Sequence, residues 1–295
     1  MPIPAPSTVA LPDGRTLAYD DVGDPSGEVV VYLHGAPDCR LARHPSDALA
    51  ASLGVRLLAL DRPGYGQSTP AADPTFASVA SDVGHLLDAI GAPTCRLFAW
   101  SAGGPRALAA ATALGERCTA VTLYAGMPPV EAGFDEAALL GMPRRQAILD
   151  AVLNEGVAPR EVADEIGQFM LPVVPVPADL AEDIVRESLG TRALAEVESV
   201  PGMLAALAAS QVESTSTFGR AGVEGDMVAE LTVGQLDAVL APTCPVRLVY
   251  GGKDPVAGPP IGDWYAARLA RATVEIWPDA THHSLFPRWA ELLRG

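Results

Sequence analysis

Basic charge is scarce in this chain. Lys253 is the only lysine among 295 residues, and 36 acidic residues outnumber 20 basic ones, for a formal net charge of -16. Without clustered basic side chains, a nucleic-acid surface is not expected. Long hydrophobic runs are also missing. No uninterrupted apolar stretch reaches the roughly 18 residues that a membrane-spanning helix needs, so no membrane partner is expected. The opening Met1-Pro-Ile-Pro-Ala-Pro6 has neither a positive region nor an apolar core and does not read as a signal peptide, which makes the cytoplasm the expected location. Cysteine is sparse: Cys39, Cys95, Cys118 and Cys244 show no C-x-x-C spacing and no histidine spaced as a zinc partner. No metal site is therefore expected. Three of the four fall where strands should begin and read as small, reduced, buried side chains. Cys39, in a loop near the expected site, is the one thiol to watch for reactivity.

What remains is the composition of a globular chain, 49% hydrophobic and 19% charged, long enough for one large domain or a core with an insertion. Residues 7–11 and 15–20 flank the turn Pro12-Asp13-Gly14 and predict a hairpin. The near-continuous apolar run 29–33 suits a strand covered on both faces. A helix over 38–53, a strand over 55–60 and a helix over 76–90 follow, the last with apolar residues at Val79, Val83, Leu86, Leu87 and Ile90 and Gly91 at its end. A strand running to Trp100, an alanine-rich helix and a strand over 120–124 continue an alternation that implies a parallel sheet with right-handed crossovers. From 128 to 242 the rhythm changes. Helical patterns over 144–153, 178–189 and 202–209 are broken by a proline-rich turn at 172–177, and a stretch of this length is too long for a loop. The sheet resumes at 246–250, followed by a helix over 261–270, a strand over 273–277 and a closing helix over 285–293. The organisation expected is a core of residues 1–127 and 243–295 with a mostly helical insertion at 128–242.

One stretch carries chemistry. In Ala99-Trp-Ser-Ala-Gly103, strand residues run into Ser101 and helix begins about two residues later. A serine on so sharp a turn stands clear of the sheet beside a helix N-terminus, and the turn needs small residues two before and two after it, here Ala99 and Gly103. A serine hydroxyl attacks only if a general base takes its proton, and that base is usually a histidine oriented by a carboxylate. In an alternating fold such groups collect after the C-terminal ends of strands. His85 and His44 fall in or beside helices, and His34 reads as shaping a turn with Gly35. His282 and His283 follow the last strand, and His282 is the preferred base. Asp254 follows the strand ending at Tyr250 and is the preferred carboxylate. Asp61 is better placed for an ion pair with the neighbouring Arg62, and Asp279 sits too near His282 in the same loop.

Five segments in register now carry a resemblance: Tyr32-Leu-His-Gly-Ala-Pro37, Asp61-Arg-Pro-Gly-Tyr-Gly-Gln-Ser68, the Ser101 turn, Tyr250-Gly-Gly-Lys-Asp254 and Pro278-Asp-Ala-Thr-His282. Along essentially its whole length the chain resembles the α/β-hydrolase fold family with a helical cap, and the order nucleophile, acid, base is that family's. The resemblance implies an eight-stranded, mostly parallel sheet flanked by helices and a Ser101, Asp254, His282 triad. It also implies an oxyanion hole made by the backbone N–H groups of Ala36 and Ala102. His34, Trp100 and His283 are candidates for the substrate pocket, with Trp100 read first as packing and second as a pocket wall. Thr281 stands where the family usually has glycine. Serine at the turn differs from the aspartate of epoxide hydrolases and haloalkane dehalogenases, and His34-Gly-Ala-Pro37 departs from the His-Gly-Gly-Pro of prolyl aminopeptidases. Hydrolysis of a small carboxylic ester or lactone, with no cofactor, is the leading expectation. A lyase, acyltransferase or cyclase on the same triad, and a small-molecule binding protein of the same fold, stay open. The oligomeric state is not legible.

Overall fold

The computed structural model describes residues 5–133, 152 and 154–295. Eight strands form one sheet: β1 (Ser7–Ala10), β2 (Thr16–Gly23), β3 (Glu28–Leu33), β4 (Val55–Leu60), β5 (Cys95–Trp100), β6 (Cys118–Tyr124), β7 (Val246–Gly251) and β8 (Ala272–Trp277). Their spatial order is β1-β2-β4-β3-β5-β6-β7-β8. β2 runs antiparallel to both of its neighbours, and every pairing from β4 to β8 is parallel. The parallel strands are apolar because helices cover them: Val30 to Leu33 on β3 are all 0% exposed, and β5 is buried throughout. Register aligns the strand ends. Leu33 of β3 sits beside Leu60 of β4 and Ala99 of β5, so the residues that follow, His34, Asp61 and Ser101, gather at one edge of the sheet.

The helices α1 (Asp47–Ser52), α2 (Phe76–Ala89) and α3 (Gly103–Leu114) lie between these strands in sequence. Between β6 and β7 the described residues hold only helical elements: the short turn Val130–Ala132, then α4 (Pro159–Met170), α5 (Ala181–Ser188), α6 (Thr191–Glu198), α7 (Met203–Ser216), α8 (Ala221–Leu231) and α9 (Leu236–Leu240). α10 (Pro259–Ala266) packs on β7 and β8, and α11 (Trp289–Leu293) ends the chain. The helix expected over 144–153 falls outside the described residues. No single helix among the described residues is long and apolar enough to cross a membrane.

Three expected helices differ in extent. The one placed at 38–53 is helical only over Asp47–Ser52, because residues 38–46 spend their groups elsewhere: Arg40 bonds to Asp20, Asp61 and Glu213, Cys39 N–H donates to Ser210, and Pro45 disfavours helix at the residue before it. The closing helix begins at Trp289 rather than 285, since Pro287 interrupts the expected span. The helix expected to stop at 209 runs on to Ser216 through residues that are polar yet buried, Ser210, Glu213, Ser214 and Thr215. Cys39 is 0% exposed and burial pushes its thiol well up, which corrects the expectation of a reactive thiol there.

α8 meets the core at close quarters. A Cβ on Gly222 would lie 2.5 Å from the ring of the buried Tyr65, whereas one on Gly225 would lie 3.8 Å from Pro74, an ordinary contact. Gly222→Ala should therefore cost about 1–3 kcal/mol of unfolding free energy through overpacking. Gly225→Ala in the same helix should gain about 0.5–1 kcal/mol from helix propensity. Urea denaturation of the pair checks the docking of α8, and equal effects would contradict it.

Candidate active site

The turn between β5 and α3 sets Ser101 at φ 53°, a left-handed conformation that a side-chain-bearing residue adopts only under local constraint. The constraint is visible. Ser101 N–H donates to Tyr124 O at 3.1 Å, and its carbonyl accepts from Gly104 N–H and Met127 N–H at 2.9 and 3.0 Å. Gly103 has to be glycine, because a Cβ there would lie 2.3 Å from Leu33 O. Ser101 is 8% exposed, and its hydroxyl has no hydrogen bond among the described residues.

Across the sheet edge, His282 Nδ1 and Asp254 Oδ2 are 2.8 Å apart, and the Asp254 side chain is wholly buried. Asp254 Oδ1 accepts from Val256 and Ala257 N–H at 2.7 and 3.0 Å, so the carboxylate is fixed before it meets the ring. With Nδ1 committed, Nε2 is the nitrogen left to take a proton. The loop bearing the ring is held from three directions. Trp100 Nε1–H donates to His282 O at 3.0 Å, Tyr124 O–H donates to Thr281 O, and Thr281 N–H donates to Ser284 Oγ at 2.7 Å. Thr281 also donates its hydroxyl to Glu196 on α6, so the threonine ties this loop to the helical segment.

Two peptide units face the same region. In a trans peptide the N–H points opposite to the carbonyl, so fixing one fixes the other. Gly35 O accepts from Arg62 Nη2 at 3.1 Å and from His34 Nδ1 at 2.6 Å, which sets the direction of the Ala36 N–H. The two bonds to Ser101 O do the same for the Ala102 N–H. Neither N–H has an acceptor among the described residues.

The arginine behind this arrangement escaped the sequence reading. Arg62 does not pair with Asp61, as expected, but with Asp226 on α8, while Asp61 pairs with Arg40 at 2.8 Å. Asp226 also accepts from Tyr65 O–H at 2.7 Å and pairs with Arg106 of α3 at 3.0 Å. Burial acts to raise the Asp226 pKa, but the Arg106 and Arg62 charges outweigh it and hold the carboxyl below its usual value. Arg106 in turn reaches Ala102 O at 2.7 Å and Glu230 at 2.9 Å. The one signal in the sequence was Arg62 following a strand end; nothing there pointed to a partner 164 residues on.

Of the three pocket candidates, two are not at a free surface. His34 is 0% exposed, with Nδ1 on Gly35 O and Nε2 accepting from Arg62 N–H at 3.1 Å, so it offers no free atom to a ligand. Burial drives its pKa well down. Trp100 is 3% exposed and lies under His282, ring centroids 5.5 Å apart. His283 does not touch Asp254; it packs edge-on against Trp100, and its Nδ1 is buried without a partner. Among the described residues no group of three or more His, Cys, Asp or Glu is placed to hold a metal.

A family model described as alpha/beta hydrolase fold matches residues 28–288. Among characterised sequences, the proline iminopeptidase of Xylella fastidiosa (strain 9a5c) is 31% identical over 123 residues, a match spanning 39% of this chain and only 37% of that protein. Among solved structures, an alpha/beta hydrolase fold protein from Nakamurella multipartita has a TM-score of 0.67 at 22% identity, covering 98% of this chain and 99% of the other. The enol-lactonase from Burkholderia xenovorans LB400 gives 0.67 at 20% identity, covering 98% and 97%.

His283 makes the pH behaviour of this region testable. Burial, reinforced by His282, pushes its imidazole down to about 3. A histidine whose pKa is lower folded than unfolded, where it is about 6.5, contributes stability that is complete above that value and is lost as pH falls below it. His283→Phe removes this proton linkage and the unpartnered nitrogen. Between pH 6.5 and 4.5 the variant should lose about 1–2 kcal/mol less unfolding free energy than the parent, measured by urea denaturation. Identical losses would contradict the burial of this ring.

Proposed function

Because this chain belongs to the α/β hydrolase family, we propose that it is a serine hydrolase cleaving a small carboxylic ester or lactone through an acyl-enzyme. The observation that carries the reading is the 2.8 Å contact of His282 Nδ1 with the fully buried side chain of Asp254, across the sheet edge from a serine held at positive φ. In the proposed reaction Ser101 Oγ attacks the carbonyl carbon as His282 Nε2 takes its proton. Asp254 holds the ring in the tautomer that leaves Nε2 free and stabilises the imidazolium. The N–H groups of Ala36 and Ala102 receive the oxyanion, and His282 then protonates the leaving alcohol. Water, deprotonated by His282, releases the acid and restores Ser101. The helices between β6 and β7 act as the cap over this site.

The test uses p-nitrophenyl acetate and butyrate beside a serine-directed phosphonate. Ser101→Ala and His282→Ala should each abolish turnover and labelling, while His283→Ala keeps both. Labelling of Ser101 without turnover of any ester would overturn hydrolysis in favour of another chemistry on the same serine. Arg62→Lys keeps a charge beside Asp226 but cannot span the carbonyls of His34 and Gly35 as well. It should lower kcat by about 100-fold, the usual loss when one oxyanion donor is misaligned, with KM nearly unchanged. A rise in KM alone would show that the arginine serves binding and not the oxyanion.

A further inference from the structure

Asp38 is a carboxylate that the proposed mechanism does not use. It lies two residues after Ala36 and is 5% exposed. Its Oδ1 accepts from Ser210 Oγ at 3.0 Å and from Gln211 Nε2 at 3.3 Å, both on α7. Ser210 Oγ in turn accepts from Cys39 N–H at 2.9 Å, and its own proton has Asp38 Oδ1 at 3.0 Å as a nearer and stronger acceptor than Cys39 Sγ at 3.5 Å. Oδ2 has no hydrogen bond among the described residues. The fully buried side-chain polar atoms without a partner there are Thr112 Oγ1 and His283 Nδ1, so Oδ2 must retain contact with solvent. No cation pairs with it either: the nearby Arg62 is spent on Asp226 and on the carbonyls of His34 and Gly35. Burial raises the Asp38 pKa to about 6, yet at neutral pH it remains ionised. Asp38 N–H donates to Gly35 O at 3.3 Å, and a Cβ on Gly35 would lie 3.2 Å from Ser101 Cβ, which puts Asp38 close to the proposed nucleophile.

A nearly buried carboxylate with one oxygen bound by two neutral donors and the other open only to solvent has an acceptor that a ligand's donor can take over from water. Two residues of chain span at most about 7 Å, so the backbone of Asp38 lies no farther than that from Ala36, whose N–H is the proposed oxyanion donor. We infer that Asp38 is a specificity-determining residue whose free oxygen binds a hydrogen-bond donor, a hydroxyl or an ammonium, on the acyl part of the substrate. This rests on the serine-hydrolase reading and adds the substrate class to it.

The experiment compares p-nitrophenyl butyrate with its 2- and 3-hydroxy and 2- and 3-amino derivatives, using the parent protein and Asp38→Asn. The amide oxygen keeps both bonds to α7 and turns an NH2 toward the substrate, a donor facing a donor. The parent should favour at least one donor-bearing ester over butyrate by about tenfold or more in kcat/KM, the discrimination typical of a polar group left unpaired. Asp38→Asn should abolish that preference, read within each protein as the ratio of kcat/KM to that for butyrate. Preference for the amino esters alone assigns an ammonium, and preference for the hydroxy esters a neutral donor. Ser210→Ala, which unpins the carboxylate from α7, should lower the preference in part. A thermal unfolding midpoint of Asp38→Asn at or above the parent's at pH 7.5 confirms that the fold is kept, since the substitution relieves a buried charge. Equal rates across the series in the parent, or a preference that survives Asp38→Asn, overturns the assignment of Asp38 alone. Butyrate turnover that survives Ser101→Ala overturns the underlying reading and this assignment with it.

Discussion

The interaction on which the site depends is the carboxylate of Asp226 lying between Arg62 and Arg106, at a junction where all three side chains are nearly inaccessible to water. One arginine holds the carbonyls of His34 and Gly35 and the other holds that of Ala102. Buried ion pairs of this kind rarely add net stability, because desolvation consumes most of the Coulombic gain. Their effect is geometric. Remove the carboxylate and Arg62 loses its acid partner while Arg106 is left with Glu230 alone, so the register of α8 on the core is set by where Asp226 falls.

A second set of contacts performs the same task for α7. Arg40, 0% exposed, joins Asp20 on β2, Asp61 after β4 and Glu213 on α7, while Cys39 and Asp38 meet Ser210. The loop after β3 that presents Ala36 is thereby bounded at its far end by α7, through Asp38, Cys39 and Arg40, and from beneath by α8, through Arg62. The contact between Thr281 and Glu196 adds the loop of His282 to the list. Threonine there is a departure from the family's usual glycine, and the structure supplies its reason: the hydroxyl is a tether to α6.

The sheet was legible in the sequence because its strands obey one rule, burial on both faces, and so appear as short apolar runs ended by glycine, proline or a charged residue. Ser101, Asp254 and His282 could be picked out because each follows such a run. The helical segment was legible only where its helices are amphipathic in the ordinary sense. α7 reads as apolar to Ala209 and polar beyond, yet Ser210 and Glu213 are buried against Asp38 and Arg40, and Ser214 and Thr215 are buried on backbone partners, so a pattern that equates polar with exposed has to stop too early. The misplaced helix at 38–53 fails for the same reason, since Arg40 and Arg43 look like solvent-facing residues and are instead paired with acids distant in sequence. Long-range ion pairs leave no periodic trace, so Arg62 with Asp226 and Arg106 with Glu230 had to come from coordinates.

The scarcity of lysine then acquires a structural meaning. With Lys253 the only lysine, 19 of the 20 basic residues are arginine. Arg40, Arg62 and Arg106 each bridge three or more acceptors drawn from at least two separate segments, which a planar guanidinium with five donors does and a point-charged ammonium does not. Acidic residues outnumber basic ones overall, yet in the described interior the arginines are saturated with carboxylates and carbonyls. Asp38 stands apart from that pattern. Its two side-chain partners are neutral, no arginine pairs with it among the described residues, and an interior that supplies guanidinium groups so freely elsewhere leaves this acid, two residues after Ala36, with an oxygen to spare.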